Sequence, residues 1–443
     1  MEIRFIRTVR EIVHLAWPVL ISQLAVMANA VIDTVMSGRL GATELAGVGI
    51  GASIVMTLYV TSTGVLLALT PMIAHLHGAG RPSAVGEEVR QSIWVALGLA
   101  VIAVLLMRFP QPFLALTELQ PAVEEKVRAY LNASSWGVPG LMLFRVFSGF
   151  STGVGQPRAV MRFNLLAVSC KIPLNLVFIP FLGGAGCAVA TSILSWLNAA
   201  LAWRWCSRRE SYREFALFTH FSPPRWSAIR DFLKLGLPIG ATFLVDVTAF
   251  SFMTLFISRF GPATSGAHQI AANLAALTFM LPLALGNAAA VLSGRALGAG
   301  NPLQARRVGI VCLLTAMAAG LSLSLLLWLG APLIASAYTN DATVHRIAVP
   351  LIGLVAIYHI ADALQAAAVN ILRGFKHTTA PMLIYAGALW GIGLGGGYQL
   401  GVVRGMGAQG FWVAAIASIA LAGVLVAGYF LKISRQLALR KSH

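Results

Sequence analysis

Acidic residues are scarce in this sequence: 15 Asp and Glu stand against 32 Lys and Arg, and charged residues make up only 11% of the chain. Soluble domains carry about a quarter charged residues. A chain this poor in charge, and 58% hydrophobic, cannot cover a soluble core with polar surface. Cysteine is equally sparse. Cys170, Cys187, Cys206 and Cys312 are the four, with no CxxC pair among them, which supports neither a zinc site nor a disulfide framework. No Gly-Lys pair occurs, so the chain holds no P-loop and is not itself an ATP-driven pump. No HExxH, GxSxG or paired Cys/His spacing is read as suggesting an enzyme, and no cofactor is expected.

Apolar runs, by contrast, are abundant. The mean hydropathy is +0.80, and a spanning helix needs roughly 20 apolar residues. Such runs fall at roughly 12–37, 46–75, 91–109, 129–153, 160–182 and 185–205, then at roughly 231–258, 266–297, 308–330, 344–372, 380–401 and 410–433. The expectation is an all-α polytopic membrane protein of twelve transmembrane helices. It divides as an N-terminal six-helix lobe, 1–205, a basic linker, 206–230, and a C-terminal six-helix lobe, 231–443. The apolar run after the basic start continues past Ala30 without a small-residue cleavage pattern, so it reads as a spanning helix rather than a cleavable signal.

The net charge of +17 would suggest a nucleic-acid surface in a soluble protein. Here Lys and Arg lie in short gaps between apolar runs, so no nucleic-acid partner is expected. They serve as an orientation signal instead. With the N-terminus inside, 23 basic residues fall on the inner segments, from Arg4, Arg7 and Arg10 through Arg208, Arg209, Arg213 and Arg225 to Lys432, Arg435, Arg440 and Lys441. Seven fall outside: Arg39, Arg108, Lys126, Arg128, Arg259, Arg346 and Arg404. Both termini and the linker are expected on the cytoplasmic side of the cell's inner membrane. Arg145 and Lys171 are left within spans, where either could meet an acid.

The two halves repeat. Leu15-Ala-Trp-Pro18 matches Leu235-Gly-Leu-Pro238, Arg39-Leu-Gly41 matches Arg259-Phe-Gly261, and Gly78-Ala-Gly-Arg-Pro82 matches Gly298-Ala-Gly-Asn-Pro302, each at an offset of 220. Pro157 and Pro381, and Gly186 and Gly410, pair at 224. Six helices per half is an even number, so the halves share one membrane orientation. That makes a parallel repeat about an axis along the membrane normal, a transporter architecture. The glycine run Gly47-Val-Gly-Ile-Gly51 is a weak nucleotide fingerprint, and inside a span it reads better as helix packing.

Twelve of the 15 acids lie at termini, in loops or in the linker. The other three, Asp33, Asp246 and Asp362, stand well inside the first, seventh and tenth runs. A carboxylate at that depth costs several kcal/mol unless protonated, paired or solvated. It can therefore bind and release a proton, or gather around a sodium ion with other oxygens. Tyr358 lies four residues before Asp362 and Gln365 three after, on one helix face. Asp246 shares a stripe with Phe243, Phe250 and Met253, which suits a lipophilic cation but equally suits lobe core. His268, Gln269 and Asn273 add polar groups in the eighth run.

These residues resemble the multidrug and toxic compound extrusion (MATE) transporters, in their NorM-like branch. Trp17-Pro-Val-Leu-Ile-Ser-Gln23 and Val31-Ile-Asp-Thr-Val-Met-Ser-Gly38 look like that branch's first helix. Leu69-Thr-Pro-Met72, His77-Gly-Ala-Gly80, Ala267-His-Gln-Ile-Ala271, and Asp362 with Leu372-Arg-Gly374 continue the likeness in order. The resemblance implies two six-helix bundles around a V-shaped central cavity, and export of cationic, lipophilic drugs or dyes in exchange for Na+ or H+ by a protein working as a monomer. It assigns Asp33, Asp246 and Asp362 to the family's acids and Tyr358 to a tyrosine of the cation site, so that cation or proton coupling is expected at Asp246 and Asp362 with Asp33 as a second site. If sodium is the coupling ion, Asp246, Asp362 and Tyr358 would hold it. Phe250, Met253, Gln269, Asn273 and Gln365 are the expected lining. Relatives usually carry Glu where Asp246 stands, and the shorter acid suits a proton better than a tight sodium site. The alternative within the broader superfamily is a flippase of lipid-linked saccharides, which would need several in-span cations to grip a pyrophosphate.

Overall fold

In a computed structural model the chain is described over residues 2–38, 40–114 and 120–439. Every regular element among them is helical. The helices in order are α1 (Glu2–Gly38), α2 (Thr43–Gly78), α3 (Pro82–Arg108), α4 in two segments (Pro121–Ser135 and Val138–Gly153), α5 (Pro157–Leu182) and α6 (Ala185–Arg208). After the linker come α7 (Trp226–Ile257), α8 (Pro262–Gly298), α9 (Pro302–Tyr338), α10 (Ala342–Gly374), α11 (Thr379–Val403) and α12 (Gly407–Leu439).

Twelve helices thus stand where the twelve apolar runs predicted them, most of them longer than the runs. Ten are long and apolar enough to cross a membrane, α2 with a turn at Leu67 and Ala68. The other two are irregular for different reasons. The fourth breaks at Trp136 and Gly137, where the Trp136 carbonyl accepts from Trp196 Nε1 at 2.8 Å. The eleventh is wound with wide i→i+5 turns over Gly387–Gly395 and Gln399–Val403.

The sequence repeat has a structural cause. α2, α4, α8 and α10 all end in a left-handed residue followed by a backbone bond reaching five residues back: Arg81 N to Leu76 O, Gln156 N to Ser151 O, Asn301 N to Ala296 O, and His377 N to Leu372 O. The reversing residues are Gly80, Gly155, Gly300 and Lys376, with φ between 60° and 74°. Proline then opens α3, α5 and α9 at the position where a missing N–H costs nothing. Gly41 and Gly261, both with strongly positive φ, open α2 and α8 in the same way. Arg39 of that repeat pair lies outside the described residues, as do Arg440 and Lys441.

The chain divides into two compact units, one of residues 1–20 with 241–443 and the other of 21–240. In the first, Ile12 and Ala16 of α1 are buried with Ala288, Val308, Ile371 and Phe430, while a second core gathers Met253, Ile270, Leu351, Val355 and Trp412. In the second, the start of α7 runs against α2 so closely that a Cβ at Gly236 would lie 2.6 Å from the Val65 carbonyl oxygen. These units therefore differ from the half-and-half division at 205 and 231 at the first turns of α1 and α7. Gly47 and Gly51 serve packing: a Cβ there would stand 2.5 Å from Lys126 and 2.7 Å from Tyr130 of α4.

Residues 206–230, expected as a basic linker, are held to the second unit by side chains. Tyr212 and Ser151 hydroxyls meet at 2.9 Å, and Phe215 packs its ring edge-on against Phe150. Arg90 of α3 donates to the Ala216 carbonyl and to Ser222 Oγ, Trp94 Nε1 donates to the Ser222 carbonyl, and Arg225 pairs with Glu87 at 2.7 Å.

Candidate functional site

The three in-span acids fall in both units, with contrasting company. In the first unit, α10 is capped at its start by Asp341, whose carboxylate accepts from Thr343 N and Val344 N. Its second half is rich in alanine, which lets neighbours close in on it. A Cβ at Gly320 of α9 would stand 2.7 Å from Ala363, and one at Gly286 of α8 2.7 Å from Asn370. Asp362 is enclosed by this packing and is 4% exposed. It has no hydrogen-bond partner among the described residues. Asp246 of α7 is half-buried and accepts a hydrogen bond from the Tyr385 hydroxyl of α11 at 2.5 Å. Asp246 and Asp362 lie within electrostatic reach of each other and of Tyr358.

Around these acids the wall is aromatic. Phe250 meets Tyr358 edge-on at 6.4 Å, Tyr358 meets Trp412 edge-on at 5.7 Å, and His268 lies 5.9 Å from Trp412. His268 Nε2 is 3.0 Å from Thr254 Oγ1. The opposite ring nitrogen of His268, the Trp412 indole N–H and both ring nitrogens of His359 are buried without a hydrogen-bond partner among the described residues. No group of three His, Cys, Asp or Glu side chains that could hold a metal occurs among the described residues. A cation here would rely on two carboxylates and phenol oxygens.

The other expected residues are placed as follows. Gln365 is buried one turn beyond Asp362 on α10. Met253 is core, and Phe243 lies under the Arg373 guanidinium at 5.4 Å, so the α7 stripe is shared among three tasks. Gln269 and Asn273 are exposed on α8 and bond to each other at 3.4 Å, whereas His268 is wholly buried. Sequence reasoning missed Tyr385. Its only signal is a lone tyrosine in an apolar run, whose hydroxyl must find a partner when buried.

Asp33 belongs to the second unit and is met by Lys171 of α5, with Nζ 2.9 Å from Oδ1. Asn175, one turn on, donates to the same oxygen at 2.9 Å. Of the two in-span cations, Lys171 therefore pairs with Asp33, while Arg145 is half-buried and forms no ion pair among the described residues. Lys171 is 1% exposed, so it does not snorkel to a membrane surface.

One of the spacings not expected does occur. Gly149-Phe-Ser-Thr-Gly153 has the G-x-S-x-G form of a nucleophile elbow. It lies within helix rather than on a strand-to-helix turn, and Ser151 is wholly buried between the Gln156 carbonyl and the Tyr212 hydroxyl. It is a structural serine.

Two repeats of six helices, with in-span acids in both, define a polytopic helical membrane protein of the transporter kind. The MatE family model matches twice, at residues 18–177 and 238–398, the two matches starting at the spacing of the internal repeat. "Probable multidrug resistance protein NorM" of Aromatoleum aromaticum is 37% identical over 433 residues, covering 95% of this chain and 93% of its own. "Multidrug resistance protein MdtK" of Yersinia pseudotuberculosis is 34% identical over 438 residues, covering 96% and 95%. Among solved structures, the Vibrio cholerae MATE transporter VcmN in the bent form superposes with a TM-score of 0.87 at 20% identity, over 98% of this chain and 99% of that one. A MATE in the bent conformation gives 0.91 at 17% identity, over 98% and 97%. The chain belongs to the MatE family and has its twelve-helix, all-α fold.

Proposed function

We propose that this protein is a secondary multidrug exporter that moves lipophilic cations out across the cell's inner membrane by alternating access, driven by inward flow of H+ or Na+. The observation that carries the reading is the pair Asp246 and Asp362. Two carboxylates within electrostatic reach share aromatic walls, and a tyrosine hydroxyl is the one hydrogen-bond donor described to them. Two negative charges in such surroundings demand a proton or a cation. An arriving ion meets that demand, and a cationic drug competes for the same charge, which is the opposition that antiport requires. The printed names of the NorM and MdtK relatives support drugs as the cargo. Asp at 246, with its short stem already held by Tyr385, favours the proton. The basic bias of the segments between spans supports cytoplasmic termini, and the family supports a working monomer.

The flippase alternative weakens further, because Lys171 is already spent on Asp33. The test is efflux from proteoliposomes with sodium and proton gradients imposed separately. Replacing Asp362 with Asn is expected to abolish gradient-driven efflux of a dye such as ethidium, and undiminished coupled efflux in that variant would refute the assignment.

A further inference from the structure

The Lys171 ammonium is surrounded by oxygens of three chemical kinds. It lies 2.9 Å from the Asp33 carboxylate and 3.0 Å from the Cys187 backbone carbonyl, and it also donates to the Thr191 hydroxyl. Thr191 is positioned in turn by its own bond to the Cys187 carbonyl at 2.9 Å. Carboxylate, carbonyl and hydroxyl oxygens converging on one point are the donor set that binds hard cations. Asn175, wholly buried, supports the cluster from behind, giving its N–H to Asp33 while its own carbonyl oxygen has no partner among the described residues. Tyr130, 7% exposed, and the Cys187 thiol, whose Sγ lies 4.0 Å from the Asp33 backbone carbonyl oxygen, are the other titratable side chains facing Asp33. Every ligand of the ammonium is internal to the second unit, and Lys171 itself is 1% exposed.

We propose that Lys171 is a tethered cation that fills a monovalent-cation site built around Asp33, so that Asp33 exchanges neither proton nor metal ion and the coupling ion binds only at Asp246 and Asp362. This deepens the exporter reading and rests on it for the second clause. The ammonium has the charge of Na+ or K+ and takes the same oxygen ligands, but its four-carbon stem holds it in place. A site occupied in this way contributes negative charge to no arriving ion. It follows that removing the tether opens the site: without the Lys171 side chain, Asp33, the Cys187 carbonyl and Thr191 face an uncompensated vacancy that a free cation can enter.

The experiment uses the full chain in nanodiscs, carrying Asp246→Asn and Asp362→Asn so that Asp33 is the remaining in-span acid. Thermal unfolding midpoints are followed against sodium chloride and n-propylammonium chloride, with choline chloride as the ionic-strength control. In the parent, neither cation is expected to raise the midpoint beyond choline. With Lys171→Ala added, both raise it saturably by about 2–4 °C, since a ligand that binds the folded state alone stabilises it. n-Propylammonium is the stronger of the two because it restores the atoms removed. A saturable response in the parent, or none in the Lys171→Ala protein, overturns the proposal. Should Lys171→Ala fail to fold, Asp33→Asn is added to it. Recovery of a monodisperse folded protein then supports the proposal, because removing the acid removes the need for its cation, and failure to recover overturns it. No transport is read, so this outcome and that of Asp362→Asn in proteoliposomes stand or fall separately.

Discussion

Asp33 and Asp362 are the same residue, each deep within a long apolar helix, and their surroundings are opposite. Asp33 has an ammonium at 2.9 Å and an amide donor at 2.9 Å on one oxygen. Asp362 has aromatic neighbours, a second acid within electrostatic reach, and no donor among the described residues. In the first case the protein supplies the counter-charge from its own chain. In the second it leaves the charge to be met from outside. On the proposed reading, depth in the membrane alone does not make a carboxylate functional. What does is the balance of charge that the folded chain leaves unfilled.

That contrast can be broken most sharply at Asp33. If its charge is structural, Asp33→Asn leaves the Lys171 ammonium buried without its carboxylate, and removing one partner of a buried pair costs about 3–5 kcal/mol. The expected outcome is a large drop in the unfolding midpoint, most of it recovered in Asp33→Asn with Lys171→Met, where no charge remains to be compensated. A single variant as stable as the parent would show that the ion pair does not hold the fold.

A smaller effect is expected at Tyr385. Its hydroxyl is the donor to Asp246, and one hydrogen bond to a charged group is worth about 1.5–3 kcal/mol. Tyr385→Phe should therefore cost on the order of tenfold in initial efflux rate at a sub-saturating gradient, against the complete loss expected for Asp362→Asn. An efflux rate unchanged in Tyr385→Phe would separate Tyr385 from the acid pair.

The smallest effect sharpens the comparison by touching neither acid. Arg90 holds the linker through Ala216 and Ser222. Arg90→Ala should expose residues 213–225 to trypsin, with cleavage after Arg213 or Arg225 about fivefold faster, because local opening governs access. Efflux should be unaffected. Slower transport in that variant would extend the coupling machinery to the linker.

Much of the fold was legible because apolar length alone dictates a spanning helix, and because Gly-Ala-Gly-x-Pro marks where one helix reverses and the next begins. The Tyr358–Asp362 pair was legible too, since four residues on a helix is a fixed distance. What joins separate helices was not. Lys171 and Asp33 lie on α5 and α1, and no spacing rule relates them, so the pairing emerged only when the helices were packed. The same holds for Tyr385 and Asp246. The wide turns of α11 leave no mark that distinguishes their glycines from those of an ordinary packing face. Ser151 shows how little a motif says by itself: its flanking glycines match an enzyme spacing, and its helical setting and burial remove it from the chemistry.

Lys376 gives the internal repeat a physical trace. At four corresponding helix ends the chain makes one left-handed reversal, and three of them use glycine, the residue for which that reversal is free. Lys376 makes the same turn with a full side chain, at φ 60°, and His377 N still reaches back to Leu372 O. The two halves read as copies of one segment, and at this corner the shape is kept without the glycine. The duplicated unit is thus better traced by where the backbone turns than by which residues turn it.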